Sequence, residues 1–224
     1  MSIERTLQHY ATIVFDCDGV VLNSNAVKTR AFYEAALPYG EEAARALVAY
    51  HTANGGISRY KKFTHFLETI VPALAHQPGP DLEQLLAHYA HGVRQGLLSC
   101  DVAPALQALR KATTATRWLI VSGGDQAELR EVFAARDLAA LFDGGIYGSP
   151  DTKDEILLRE MNRGNIVMPA LFIGDSQYDY RAASAAGLDF VFLSGWSEVK
   201  DCETWCKRLA IKSYRDLAAF MSEL

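Results

Sequence analysis

Asp16 and Asp18 stand two positions apart in Phe15-Asp16-Cys17-Asp18-Gly19-Val20, directly after the apolar run Ala11–Phe15. A carboxylate can attack phosphorus and form an aspartyl-phosphate, which divides one hard displacement into two easier ones. Side chains of an extended segment repeat every second residue, so Asp16 and Asp18 are expected to face one way and Cys17 the other. One aspartate then serves as nucleophile, while the other protonates the leaving oxygen and later activates water. Ser122-Gly123-Gly124-Asp125 follows a second apolar run, and Gly174-Asp175-Ser176, with Asp179 one turn later, follows a third. Two anions must meet in such a reaction, so a cation is required. Magnesium prefers oxygen ligands, takes few carboxylates, and shares its remaining positions with water and phosphate. Asp16, Asp175 and the backbone carbonyl of Asp18 make up such a sparse set. Ser122, backbone N–H groups near Gly19 and Gly123, and the Lys153 ammonium suit the charge on a transferring phosphoryl group.

Each cluster also has a bland reading. An Asp-x-Asp pair after a strand is often a solvated turn, Asp125 suits a helix N-cap, and a single lysine such as Lys153 is ordinarily a surface residue. The case for chemistry lies in their order, each beside the end of an expected strand.

Those strands are short and apolar: Ala11–Phe15, Arg117–Val121, Ala170–Ile173 and Phe190–Leu193, with a weaker one at Gly145–Tyr147. Helical patterns alternate with them at Ala103–Thr113, Gln126–Ala135, Lys153–Asn162 and Tyr178–Ala186. Alternation of this kind predicts an α/β fold, a Rossmann-like open parallel sheet flanked by helices. Ligand chemistry in such sheets gathers at the carboxyl ends of the strands. From about Asn23 to Leu97 the rhythm changes to helix after helix, punctuated at Pro38-Tyr39-Gly40, Asn54-Gly55-Gly56 and Pro78-Gly79-Pro80. The expected organisation is a core of residues 1–22 and 98–224, with a small all-helical cap, residues 23–97, inserted after the first strand.

At these residues the chain resembles the haloacid dehalogenase superfamily of aspartate-nucleophile phosphohydrolases. Phe15–Val20 is similar to the first family motif, Val121–Gly123 to the second, Lys153 to the third and Gly174–Asp179 to the fourth. The resemblance implies catalytic roles for Asp16, Asp18 and Lys153. It implies substrate binding by Ser122 and Gly123, and a magnesium site served by Asp16, Asp18, Asp175 and Asp179. Residues 23–97 resemble a C1-type cap, and the whole looks like the phosphoglycolate phosphatase and β-phosphoglucomutase branch. Asn23-Ser24-Asn25 departs from the Asp-[Ser/Thr]-Glu pattern of many relatives, which puts in doubt what the hinge presents to substrate.

In the cap, Asn54-Gly55-Gly56-Ile57-Ser58-Arg59-Tyr60-Lys61-Lys62 resembles the specificity loop of C1 caps. Arg59 is the candidate contact for a hydroxyl, carboxylate or second anion of the leaving group, with a solvated helix start as the alternative. Lys28 and Arg30 read as surface residues, and the histidines show no metal-type pairing. Phe32–Gly40, with the Gly-Gly-Ile-Ser-Arg loop, looks like relatives linked to surface-polysaccharide precursors, which implies a sugar or polyol phosphate. A phosphomutase of the β-phosphoglucomutase type and a non-enzymatic binding relative remain open.

Half of the 224 residues are hydrophobic, and the formal net charge is −5. That balance argues against a nucleic-acid partner, which would want a basic face. No run is long enough for a membrane span. Four cysteines do not form a secreted disulfide framework, so a cytoplasmic protein is expected, acting on a small metabolite as a monomer or homodimer.

Overall fold

The computed structural model describes residue 7 and residues 9–222. Strand β1 (Thr12–Phe15) is buried at every position. The helices α1 (Asn25–Ala36), α2 (Glu41–Ala53), α3 (Arg59–His65) and α4 (Leu82–Ser99) follow it. Then come α5 (Leu106–Ala112), β2 (Arg117–Asp125), α6 (Gln126–Ala135), β3 (Gly145–Ser149), α7 (Lys153–Asn162), β4 (Ala170–Gly174), α8 (Gln177–Ala185) and β5 (Asp189–Leu193). The chain closes with α9 (Cys202–Arg208), β6 (Lys212–Tyr214) and α10 (Leu217–Ser222).

The strands form one parallel sheet in the order β3-β2-β1-β4-β5-β6. Val14 of β1 pairs with Leu119 on one side and Phe172 on the other. Alternate residues serve opposite layers. Ile13, Phe15, Trp118 and Ile120 pack in one core cluster, whereas Val14, Leu119, Val121 and Phe172 pack in another. Burial on both faces explains why these strands read as continuous apolar runs.

The expected strands are all present. β6 is an addition: Lys212-Ser213-Tyr214 is short and largely exposed at the sheet edge, so it carries no apolar run to announce it.

Residues 25–99 are helical between β1 and the rest of the sheet. Phe32, Phe63 and Tyr89 meet at their centre, with the Phe32 ring 4.4 Å from Tyr89 and 5.1 Å from Phe63. Helix α3 runs into a π-helical stretch at Phe66–Ile70 and a last turn at Val71–Leu74. Pro72 in that turn has no N–H for the regular ladder, which accounts for the widened turn before it. Asp81 and Gln84 close a capping box that starts α4. Among the described residues, no helix is long and apolar enough to cross a membrane.

Candidate active site

The chain leaves β1 toward β2 and β3 on one side and returns on the other with β4. Asp16 follows β1 and Asp175 follows β4, so the two aspartates sit side by side at the point where strand order reverses. Helix starts position their neighbours. Ser176 caps α8 in a box with Asp179, and Thr152 caps α7 in a box with Glu155. The second box places Lys153 on the first residue of its helix, with its side chain fully buried.

Lys153 Nζ lies 2.9 Å from Asp16 Oδ1 and also donates to Asp179 Oδ1. The Cys17 backbone N–H donates to Asp16 Oδ1 at 2.7 Å. Cys17 itself packs in the apolar core. Asp179 Oδ2 accepts from the Asp175 and Ser176 backbone N–H groups and from the Ser176 hydroxyl at 2.7 Å. Asp179 is thus held from every side and in turn holds Lys153.

Burial pushes the Asp16 carboxyl up to about 7, with Lys153 opposing and the Asp179 and Asp18 charges adding to the rise. Burial also drives Asp175 well above the usual carboxylate range, reinforced by Asp16 and Asp179. Burial alone would lower Lys153, but its two carboxylate partners hold the ammonium well above its ordinary value. Asp18 behaves differently. Burial works to raise it, yet Lys28 at 2.5 Å and the Ser24 hydroxyl at 2.6 Å bring it below its ordinary value.

One carboxylate oxygen from each of Asp16, Asp175 and Asp179 falls within 4.8 Å of the others. These are hard oxygen donors, and the charge crowding that raises Asp16 and Asp175 is what a divalent cation would relieve. The donor set fits magnesium better than a softer metal, which would want sulfur or imidazole. The Asp18 carboxylate is engaged by Lys28 and Ser24, which leaves its backbone carbonyl as that residue's donor to such a site.

Asn25, at the departure from the resembled Asp-[Ser/Thr]-Glu pattern, takes part in the site. Its Nδ2 donates to Asp175 Oδ2 and to the Trp196 carbonyl, both at 2.8 Å. An acid's carboxylate would have no hydrogen to give. Ser197 adds a hydroxyl donor to the Asp175 carbonyl at 2.6 Å. Gly19, at φ +77°, lies beneath this contact, and a Cβ there would meet Asp175 Oδ2 at 2.0 Å. The turn therefore requires glycine on both grounds.

Ser122 is fully buried, and its Oγ accepts the Gly124 N–H at 3.0 Å. Gly123 touches the helical segment directly, since a Cβ on it would lie 2.1 Å from the Gly56 carbonyl oxygen. A small cavity of about 60 Å³ remains between the two parts, lined among others by Asp16, Asp18, Lys28, His51, Lys62 and Asp175.

Arg59 also lines this cavity, but its guanidinium is ion-paired with Glu128 of α6 and lies 4.8 Å over the Tyr89 ring. Lys28 is not a surface residue: it is 7% exposed and salt-bridged to Asp18. Lys62 is 2% exposed, with its Nζ 2.7 Å from His51 Nδ1. His51 Nε2 lies 3.0 Å from Thr29 Oγ1, which donates to Glu198 at 2.6 Å. The sequence reading passed over Lys28 and His51 as site residues, took Asn25 only as a departure from the family pattern, and met Lys62 only as part of the specificity loop, yet for Lys62 a signal existed. Arg59, Lys62, Phe63 and Phe66 have the i, i+3, i+4, i+7 spacing of one buried helix face, and charges on such a face call for explanation.

His51 supplies a stability prediction. Burial, then the Lys62 and Lys28 charges, lower it from 6.5 to about 2. The folded ring stays neutral while the unfolded one takes a proton below 6.5, so stability is lost as pH falls through that window. One proton is worth ~1.4 kcal/mol per pH unit. Urea unfolding between pH 6 and 4 is expected to show a shallower pH slope in His51→Gln than in wild type. Equal slopes would contradict a buried neutral ring.

The architecture has known counterparts. A phosphoglycolate phosphatase, provisionally so assigned, from Lactobacillus plantarum matches with TM-score 0.72 at 19% identity, covering 96% of this chain and 99% of that one. CbbY from Rhodobacter sphaeroides, in complex with phosphate, matches at 0.64 and 18% identity, covering 86% and 90%. A provisionally assigned β-phosphoglucomutase from Thermotoga maritima matches at 0.61 and 18% identity, covering 91% and 93%. At these identities the likeness is one of fold. Comparison with curated proteins at the sequence level gives no match. The model of the haloacid dehalogenase-like hydrolases covers residues 10–187, so the chain belongs to that family of hydrolases.

Proposed function

We propose that this protein is a magnesium-dependent phosphatase that releases inorganic phosphate from a small phosphorylated metabolite, built on a sugar or polyol framework, through an aspartyl-phosphate on Asp16. The observation that carries this reading is the buried triad in which Lys153 spans Asp16 and Asp179, with Asp175 beside them. Membership of a hydrolase family supports it. Neighbours described as a phosphatase, a mutase and a phosphate complex are in keeping with phosphate chemistry.

In this reading an Asp16 carboxylate oxygen attacks phosphorus, and the bond to the leaving oxygen breaks. Asp18 gives that oxygen a proton. Asp18 then takes a proton from the water that attacks the aspartyl-phosphate, which frees Asp16 and phosphate. The acid step needs a proton on Asp18, so its Lys28 contact must loosen when substrate enters. Lys153, Ser122 and the Gly123 N–H receive the phosphoryl charge. Magnesium, held by Asp16, Asp175 and the Asp18 carbonyl with Asp179 in support, would neutralise charge between nucleophile and phosphate. Residues 1–22 and 98–224 act as catalytic core and 23–97 as cap. All four cysteines are unbridged, which fits work in a reducing cytoplasm.

The test is phosphate release from an aryl phosphate with added magnesium. Release that stops on chelation and resumes on magnesium supports the proposal, and an inert wild type across a broad ester panel refutes it. Gly123→Ala is expected to push the Gly56 loop off the core and lower kcat/KM by about tenfold or more, with a stability loss of ~1–3 kcal/mol. Thermal melts beside the kinetics check that split.

A further inference from the structure

The buried cations of the site are not equivalent. Lys153 is committed to Asp16 and Asp179, Lys28 to Asp18, and Arg59 to Glu128. Each of these faces a carboxylate at ion-pair distance. Lys62 does not. Among the described residues its direct hydrogen-bond partner is a histidine nitrogen, at 2.7 Å. Yet it is as deeply buried as the others, and it lines the same cavity as Asp16.

The neighbours of Lys62 fix its orientation. A protonated Lys62 donates to His51 Nδ1, which places the ring proton on Nε2 facing Thr29, and the Thr29 hydroxyl donates to Glu198. This chain uses one of three ammonium hydrogens. The Phe32 ring lies under the nitrogen at 5.4 Å and accepts no conventional hydrogen bond. The Asp18 and Glu198 charges act on it only from beyond ion-pair distance. Holding a buried ammonium without a carboxylate in direct contact is costly, and an incoming anion reduces that cost. Burial and the Lys28 charge already lower Lys62 to about 7, so its charged form has most to gain from an anion in the cavity.

Resting on the phosphatase reading above, we propose that Lys62, oriented by His51, is a specificity-determining residue that binds a second anionic group on the leaving portion of the substrate. The substrate class is then a small phosphate ester whose leaving alcohol also carries a carboxylate or a second phosphate, not a neutral sugar or polyol. This transfers to Lys62 the anion-reading role that the sequence pattern suggested for Arg59, whose charge is spent on Glu128.

Three-carbon esters of matched size test this directly: glycerol 3-phosphate as the neutral form, 3-phosphoglycerate as the carboxylate form, and 1,3-propanediol bisphosphate as the doubly phosphorylated form. Wild type is expected to prefer at least one anionic ester over the neutral one by ~30-fold or more in kcat/KM, and the arm that wins names the anion. Lys62→Met should collapse that ratio toward one, while Lys61→Met, at the exposed preceding residue of the same helix, should preserve it. The wild-type ratio needs no variant, so a poorly folding Lys62→Met leaves the test intact. Hydrolysis of an aryl phosphate with no preference among the three esters overturns this inference alone. No hydrolysis of any ester overturns the phosphatase reading as well.

Discussion

Lys153→Met is expected to cut turnover by at least ~10³-fold and to destabilise the fold by ~3–5 kcal/mol at pH 8. The ammonium is fully buried between two carboxylates, so its removal strands charge where water cannot reach. Breaking one side of a buried pair costs far more than the pair contributes. The stranded site can relieve itself by taking up protons. The Asp16 carboxyl is already held up near 7, and losing the ammonium removes its main opposing influence. A carboxyl raised above its unfolded value binds more protons folded than unfolded, so the penalty grows as pH rises. Denaturant melts of wild type and variant at pH 5 and pH 8 check this. The stability gap should be smaller at pH 5. A gap independent of pH would mean that lost packing, not stranded charge, dominates.

Asp16→Asn has the opposite stability signature. Activity is expected to fall by ~10⁴-fold or more, because the amide cannot form the acyl-phosphate. Stability at pH 8 should hold or increase. Burial, and after it the Asp179 and Asp18 charges, raises the Asp16 carboxyl, so its ionised form is disfavoured in the fold. An amide keeps the acceptor for the Cys17 N–H, and Lys153 keeps its pair with Asp179, so the charge is removed without stranding the ammonium. Active sites often carry such stored repulsion, so a substitution that ends activity can stabilise the protein. Kinetics paired with melting temperatures separate this from simple unfolding. A variant that loses activity and melts well below wild type would count against a purely chemical role for Asp16.

The parallel sheet could be read because its strands are buried on both faces and so appear as unbroken apolar runs. Edge strand β6 could not, since exposure lets polar residues fill it. Asp16, Asp18, Ser122, Lys153, Asp175 and Asp179, the candidates that local patterns pick out, lie in the carboxyl-terminal part of a strand or in the loops and helix starts that follow one. The helical segment was harder. Lys28 reads as an ordinary surface lysine until α1 folds and turns it onto Asp18. Arg59 reads as an available cation until Glu128, 69 positions away, neutralises it. Asn25 reads as a missing acid until its amide is found between Asp175 and Trp196. The Lys28 pair spans ten residues and the other two span far more, and no local periodicity encodes any of them.

The reading stands or falls on phosphoryl transfer to Asp16. A single turnover with a phosphorus-labelled ester, quenched in acid and digested, asks whether the phosphoryl group passes through the protein. The expected result is label on the peptide that contains Asp16, released by hydroxylamine as an acyl-phosphate should be, and absent from Asp16→Asn. Label that persists in Asp16→Asn, or phosphate release with no labelled protein at any quench time, would contradict it.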